Sequence, residues 1–479
     1  MNYKIIRYTL GCTLYIEAFC FLVPLLCAIL CKEYQYIPHF AICILLCVLC
    51  GFLLAFRKPK DKTIYPKEGF ISVALSWIVI SLFGAVPFII TGFIPNFFDA
   101  LFETVSGFTT TGASILNDVE ALPKCLLLWR SFTHWIGGMG VLVFLVAILP
   151  LSGGHNMHLI KAESPGPAVS KLVPKVRSTA KILYFIYIAL TLLEIILLKW
   201  GGLNWFESFA LSFGTAGTGG FGVKNTGIAD YTPYVQNVIT VFMILFGIDF
   251  SFYYLLLLRK FKSALKMEEV RYYIIIIISA IALIMINCSG FYTNVSDNLR
   301  HSAFQVSSII TTTGYSTVDF NLWPEFSKTI LLIIMFIGAC AGSTGGGIKV
   351  SRIIIFLKGI LKEIKLAIHP RRTVKITLNE RLIEHETVRG VNVYMAAYIV
   401  IFFASLVLIS INNFDFTTNF SAVAATLNNI GPGFNLVGPM SNFSAYSNFS
   451  KFIFAVDMLI GRLEIFPILI LFSRQTWRK

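Results

Sequence analysis

The tetrad Thr-Thr-Thr-Gly occurs twice, at Thr109–Gly112 and at Thr311–Gly314. Two more glycine-terminated stretches align with these without gaps. The four are FFDALFETVSGFTTTG (Phe97–Gly112), WFESFALSFGTAGTGG (Trp205–Gly220), LRHSAFQVSSIITTTG (Leu299–Gly314) and FTTNFSAVAATLNNIG (Phe416–Gly431). Each opens on a large apolar residue and carries Leu101, Phe209, Ala303 or Phe420 four positions on, a spacing that predicts one face of a short helix. A glycine-rich strand follows each helix. Glycine accepts backbone angles that other residues resist and leaves no side chain in a lumen. Four such strands around one axis would offer rings of carbonyl oxygens, which replace the water shell of a permeating cation. The negative ends of the four short helices would favour the same charge. The hydroxyls of Thr109–Thr111 and Thr311–Thr313 could add oxygens or tie each strand to its scaffold.

Positioning these strands falls to an unusually apolar chain. Of its 479 residues, 56% are hydrophobic and 13% charged, against about one quarter charged in a soluble domain. Apolar runs such as 71–90, 126–149, 182–198, 273–286 and 395–411 approach or reach the length that spans a bilayer. The net charge of +14 is concentrated: segments 57–68, 151–181, 259–271 and 352–389 and the two termini hold 29 of the 39 Lys and Arg. The alternate connections 93–122, 201–232, 291–327 and 412–448 contain only Lys224 and Arg300. This is the positive-inside pattern, so both termini and the basic loops are expected in the cytoplasm. The charge therefore marks topology, with a secondary role at acidic lipid headgroups, rather than nucleic-acid binding. The N-terminal stretch Met1–Lys32 starts basic, with Lys4 and Arg7, and turns apolar. Its apolar part is too long for a signal peptide and predicts a retained span. Cysteines such as Cys20, Cys27, Cys43, Cys47, Cys50 and Cys340 lie within apolar runs and are expected as small buried hydrophobes.

The predicted fold is an all-α polytopic membrane protein. Four membrane-pore-membrane repeats surround a pseudo-fourfold pore, preceded by a pair of transmembrane helices. The expected units are 1–56 for the N-terminal pair, then 57–178, 179–265, 266–380 and 381–479. Spans are predicted at 8–31 and 37–56, then at 69–92 and 123–150, 180–200 and 233–258, 271–290 and 328–357, and 390–411 and 449–473. A plain ten-helix bundle with long outer loops is the simpler rival, and the four gap-free alignments argue against it.

Several motifs together resemble the bacterial Trk/Ktr potassium transporter superfamily, and within it the TrkH branch. They are TTTGAS, HWIGGMGVLVF after Arg130, KAESPGP, TGGFG, TTTGYST, AGSTGGGIKVSR, NNIGPG and GRLEIFPILILF, and the likeness runs from about residue 60 to the C-terminus. The resemblance implies that Gly112, Gly220, Gly314 and Gly431 are filter glycines, flanked by Thr111, Gly219, Thr313 and Ile430. Potassium, as substrate, would meet Thr111, Gly112, Gly220, Thr313, Gly314 and Gly431. Related carriers with Ser at the first filter glycine prefer sodium, so Gly112 implies potassium. The resemblance further implies a homodimer in a bacterial plasma membrane. It also implies a peripheral, TrkA-like cytoplasmic nucleotide-binding subunit, expected at the basic segments 151–181, 259–271 and 352–389. No covalently bound cofactor is expected.

The run Gly338–Ser351 interrupts the second predicted span of repeat three. Its Gly342 and Gly347 have P-loop spacing, but Ile348 stands where lysine is required, Lys349 comes one late and no strand precedes it. A break in a spanning helix fits better. By resemblance, Gly342, Ser343, Thr344, Gly345, Gly346, Gly347 and Lys349 form an intramembrane gate; close helix packing through small residues is the plainer alternative. Arg462 sits midway along the last predicted span, where a charge is costly and faces a bundle interior or an aqueous path. It pairs with Asp457, Glu464 or another carboxylate, or, by resemblance, projects into the pore as a barrier. Asp249 and Glu194 are expected as helix-packing partners and His134 as a hydrogen-bonded histidine. No nucleophile, base and orienting acid come together, so no enzyme is expected. Sodium-coupled potassium transport, or a weakly selective monovalent-cation pathway, shares this architecture. A secondary transporter for an organic solute would show two inverted halves rather than four same-direction repeats.

Overall fold

The computed structural model describes residues 1–57, 59, 65–148 and 176–477. The KAESPGP motif, most of the basic segment 151–181, Lys58, Lys60 and Lys62, and Arg478 and Lys479 lie outside the described residues.

Helices dominate. Tyr3–Cys20, continued by Leu22–Leu30, and Ile37–Ala55 form an N-terminal pair. They close together through glycines: a Cβ on Gly11 would lie 2.8 Å from the Gly51 carbonyl and from Ala55. Such close backbone approach is the usual way helices associate in lipid. The four helix–short helix–helix units then follow. The short helices are Phe97–Phe108, Trp205–Ala216, Val295–Ile310 and Phe416–Leu427. A twelve-residue helix is about 18 Å long and cannot cross a core of about 30 Å. Asn96, Asn204 and Asp415 cap three of them, accepting from Phe98, Glu207 and Thr418 N–H at 2.8–2.9 Å. The third begins a turn earlier than the alignment predicts. Its Asn298, aligned with those caps, lies inside the helix and donates to the Met285 carbonyl.

Each short helix packs between the long helices of its own unit and against the second long helix of the unit before it. Phe97–Phe108 meets Asn448–Arg462, Trp205–Ala216 meets Lys124–Ile148, Val295–Ile310 meets Pro233–Phe246, and Phe416–Leu427 meets Glu325–Ile337. The units thus close head to tail.

Among the described residues, six helices are long and apolar enough to cross a bilayer as single rods: 3–30, 34–55, 66–90, 181–200, 268–287 and 385–412. The uninterrupted spans predicted at 233–258 and 449–473 are corrected. Pro233–Phe246 and Phe250–Leu257 meet at 89°, because Asp249 leaves the first helix and caps the second, accepting from Ser251 N–H at 2.8 Å. Asn448–Arg462 ends at Leu463–Ile465 before Phe466–Phe472, with Glu464 and Ile465 at φ 60° and 71°. Pro467, in the first turn of that last helix, could not have continued the earlier one. Arg462 is therefore the last residue of a helix, at the break within the predicted span. Repeat three breaks as predicted, between Glu325–Ile337 and Val350–Ile368.

Candidate functional site

All four short helices end in the same way. Thr110, Thr218, Thr312 and Asn429 adopt the left-handed conformation, at φ 56°, 55°, 60° and 57°. The next N–H, of Thr111, Gly219, Thr313 and Ile430, reaches back to Ser106, Gly214, Ser308 and Ala425 carbonyls at 2.8–2.9 Å. This is a helix-terminating motif whose left-handed position normally belongs to glycine. Threonine there costs roughly 1–2 kcal/mol, so the turn is held by its surroundings. The four predicted glycines come next, at φ 79°, 79°, 82° and 95° for Gly112, Gly220, Gly314 and Gly431.

Those glycines interlock in a ring. A Cβ on Gly112 would lie 1.8 Å from the Gly219 carbonyl oxygen. On Gly220 it would meet the Thr313 oxygen at 1.9 Å, on Gly314 the Ile430 oxygen at 2.1 Å, and on Gly431 the Thr111 oxygen at 2.8 Å. Each glycine abuts the residue before the glycine of the next unit, and the fourth returns to the first. All eight predicted filter residues are brought together, and the carbonyl oxygens of Thr111, Gly219, Thr313 and Ile430 lie in that contact ring. Among the described residues, no group of three His, Cys, Asp or Glu side chains gathers to hold a metal ion.

The threonine hydroxyls tie the strands down. Thr109 donates to the Val105 carbonyl at 2.6 Å and accepts from Thr111 at 2.8 Å; Thr311 and Thr313 repeat this with Ser307 at the same distances. Asn429 donates to the Thr111 hydroxyl at 3.0 Å and to the Met458 carbonyl at 2.9 Å. In that chain of bonds the Thr111 hydroxyl is fully engaged. His134 is fully buried: its Nδ1 lies 2.7 Å from the Gly107 carbonyl and its Nε2 accepts from Phe221 N–H at 3.2 Å. A carbonyl only accepts and an N–H only donates, so the ring is neutral with its proton on Nδ1. It backs Gly219, as the prediction of a satisfied histidine implies.

One brace escaped the sequence reading. Glu103, inside the first short helix, forms a buried ion pair with Arg130 at 2.7 Å. It also accepts from Ser114 Oγ and Ile115 N–H at 3.0 Å, just past Gly112. The Arg130 guanidinium lies over the Phe221 ring at 4.0 Å, so the pair joins the first strand to the second. The available signal was two ionisable residues in apolar sequence, Glu103 in the short helix and Arg130 in the long helix that follows it.

The predicted break in repeat three is a loop directly beneath the strands. Gly346 N–H donates to Thr312 Oγ1 at 2.6 Å and Gly347 N–H to the Asn428 carbonyl at 3.0 Å. Thr344 Oγ1 bonds the Phe246 carbonyl at 3.2 Å, and Lys349 Nζ turns back onto the Gly345 carbonyl. Gly342, Gly347 and Lys349 have φ 76°, 77° and 84°. These N–H groups are consumed by the protein and no strand precedes them, which removes the P-loop reading. Gly342 is exposed and Ser343 half-buried. Arg462 spans the same level, donating to the Thr344 carbonyl at 2.8 Å and to the Gly137 carbonyl at 2.7 Å. It pairs with neither predicted carboxylate. Asp457 accepts from Ser405 at 2.7 Å, and Glu464 pairs with Arg352. Asp249 lies against Gly342, while Glu194 is fully buried in the Val176–Trp200 helix.

A closed ring of backbone oxygens at the ends of four re-entrant helices, with a loop and an arginine beneath, defines a membrane protein of the cation-conducting type. Comparisons with known proteins agree. The family model of the TrkH cation transport proteins matches residues 36–479, and the chain belongs to that family. It is 33% identical over 489 residues, all of both chains, to the Trk system potassium uptake protein TrkH of Halomonas elongata. To the protein of the same name from Escherichia coli K12 it is 36% identical over 440 residues, 90% of each chain. The crystal structure of the potassium transporter TrkH from Vibrio parahaemolyticus superimposes with a TM-score of 0.87 at 32% identity, covering all of both chains. The family is one of transporters, not of enzymes.

Proposed function

We propose that this protein takes up potassium across a bacterial plasma membrane through the ring of Thr111–Gly112, Gly219–Gly220, Thr313–Gly314 and Ile430–Gly431. The observation that carries the reading is the cyclic contact of the four glycines with the four preceding carbonyls. Backbone oxygens held at fixed spacing can replace the hydration shell of a monovalent cation, and the short-helix C-termini add negative potential. The threonine, histidine and Glu103–Arg130 braces hold the oxygens at that spacing. Beneath them Gly342–Gly347, Lys349 and Arg462 form the gate: Arg462 both occludes the path and contributes a positive charge that a cation must pass. The units bounded at 57–178, 179–265, 266–380 and 381–479 are the four repeats, with both termini cytoplasmic. The protein works as a homodimer with a peripheral nucleotide-binding subunit, which docks on the basic segments 151–181, 259–271 and 352–389.

Rubidium-tracer uptake into proteoliposomes, with potassium or sodium as competitor, tests this for the native chain and for Gly112→Ser. Potassium blocks native uptake and sodium does not, and Gly112→Ser weakens the discrimination. Equal competition by sodium would point to a weakly selective cation pathway. Absence of flux with and without a regulatory partner would overturn the reading.

A further inference from the structure

The loop beneath the strands is fastened at its feet as well as at its apex. One oxygen of Glu269, Oε1, accepts the N–H of Ala341 at 2.6 Å and of Ser351 at 3.0 Å. These residues stand on either side of the glycine-rich run, so one atom reinforces the backbone bonds that join the two feet, Lys349 N–H to the Ile337 carbonyl at 3.0 Å and Val350 N–H to the Ala339 carbonyl at 3.1 Å. Glu269 is buried and forms no ion pair among the described residues. That oxygen is committed to two backbone donors, and a side chain without it would leave both N–H groups unpaired there. The apex is held from the opposite side, by Arg462 on the Thr344 carbonyl. Feet and apex are therefore separate attachments, and the loop can release at one while kept by the other.

Glu269 is the second residue of the Glu268–Asn287 helix, and the end of that helix rests on a small hairpin. Thr377–Leu378 pairs antiparallel with Arg381–Leu382, and the turn residues Asn379 and Glu380 are both left-handed, at φ 53° and 64°. Asn379 Oδ1 accepts from Glu268 N–H at 2.7 Å, capping the helix that carries Glu269. Lys358, on the helix leaving the loop, bonds Glu268 at 2.6 Å and the Thr377 carbonyl at 2.8 Å. The exposed Lys266–Glu380 pair adds little. A continuous chain of bonds thus runs from the hairpin, through the helix end, to both feet of the loop.

Resting on the gate reading above, we propose that Glu269 is a positioning residue that pins the feet of the loop, and that the hairpin Thr377–Leu382 sets the position of that pin. The hairpin lies in the basic segment between repeats three and four, so a cytoplasmic contact that shifts it shifts the loop.

Cys340 is a native reporter. It lies within the loop, fully buried, with its N–H on the Gly247 carbonyl at 3.1 Å. Cys288, equally buried and bonded to Ser327 in the same repeat, is the reference. The test is the rate of N-ethylmaleimide labelling of each cysteine, resolved by peptide mass spectrometry, in proteoliposomes of the full chain. Glu269→Leu keeps much of the size and removes the accepting oxygen; it raises the Cys340 rate about tenfold and leaves Cys288 and the potassium-over-sodium competition ratio unchanged. Asn379→Ala, outside the membrane, raises the Cys340 rate about threefold alone and adds nothing to Glu269→Leu, as coupled sites do. An unchanged Cys340 rate in either folded variant overturns the proposal. So does an equal rise at Cys288, which would mean general loosening, or full additivity of the two variants. Because labelling needs no ion flux, a chain that fails the rubidium assay still decides this point.

Discussion

Replacing the four ring glycines one at a time by alanine should give unequal effects, in an order fixed by geometry. All four sit at positive φ, so each alanine carries a conformational cost of roughly 1–2 kcal/mol. The contact differs. Ordinary contact begins at 3.4 Å, whereas the new methyl would stand 1.8 Å from the facing carbonyl oxygen at Gly112, 1.9 Å at Gly220 and 2.1 Å at Gly314. At Gly431 the same separation is 2.8 Å, so the facing oxygen has far less distance to yield. Those oxygens belong to the residues proposed to coordinate the ion, so driving one back to contact distance removes one quarter of a coordination ring. We expect potassium-over-sodium discrimination in rubidium competition to fall at least about tenfold, or ~1.4 kcal/mol, for Gly112→Ala, Gly220→Ala and Gly314→Ala. Gly431→Ala should lose no more than about threefold. Folding is checked by monodispersity and thermal unfolding of the solubilised protein. If Gly431→Ala proves the most damaging, or if all four lose discrimination equally, contact with the neighbouring carbonyl is not what these glycines protect.

Arg462→Gln gives up two charge-assisted bonds, worth about 1.5–3 kcal/mol each, and should raise rubidium uptake while leaving the competition ratio unchanged. Glu103→Leu strands the buried Arg130 and should cost about 3–5 kcal/mol in thermal unfolding, most of it recovered when Arg130→Met is added. Within one tetrad, Thr110→Val should be neutral in the same assay, because that buried hydroxyl has no hydrogen-bond partner among the described residues. Thr111→Val should cost about 1–3 kcal/mol, because it strips a partner from Asn429.

Repetition is what made the strands legible. The glycines Gly112, Gly220, Gly314 and Gly431 could be found because a positive φ and a facing carbonyl both favour glycine there, so the residue type itself carries the signal. The left-handed residue two places earlier gave no such signal: it is threonine three times and asparagine once, held by tertiary braces rather than by its own propensity. Glu103 and Arg130 were visible only as isolated charges, since a pair separated by 27 residues is made by the fold. The breaks at Gly247–Asp249 and Leu463–Ile465 were hidden for a related reason. Hydropathy averages over a span and does not see where its backbone bonds stop; Asp249 and Pro467 were the local marks.

Those breaks also explain one another. An interrupted helix exposes N–H and C=O groups that cannot go unpaired at membrane depth. Here the groups freed in one unit are met by the next. Cys340 N–H takes the Gly247 carbonyl at 3.1 Å, Phe250 N–H takes the Gly342 carbonyl at 3.1 Å, and Thr344 bonds the Phe246 carbonyl. The break in repeat three thus plugs the break in repeat two. From repeat four, Arg462, the last residue before its own break, takes the Thr344 carbonyl. Each interruption is tolerable because its neighbours are interrupted at the same level. It follows that the loop cannot move alone: withdrawing Thr344 leaves the Phe246 carbonyl without its partner and the Arg462 guanidinium with the Gly137 carbonyl but not the Thr344 carbonyl. On the proposed gate reading, opening re-pairs them with water or with each other, and a hydrated path through the level of the loop is then the condition under which a cation passes.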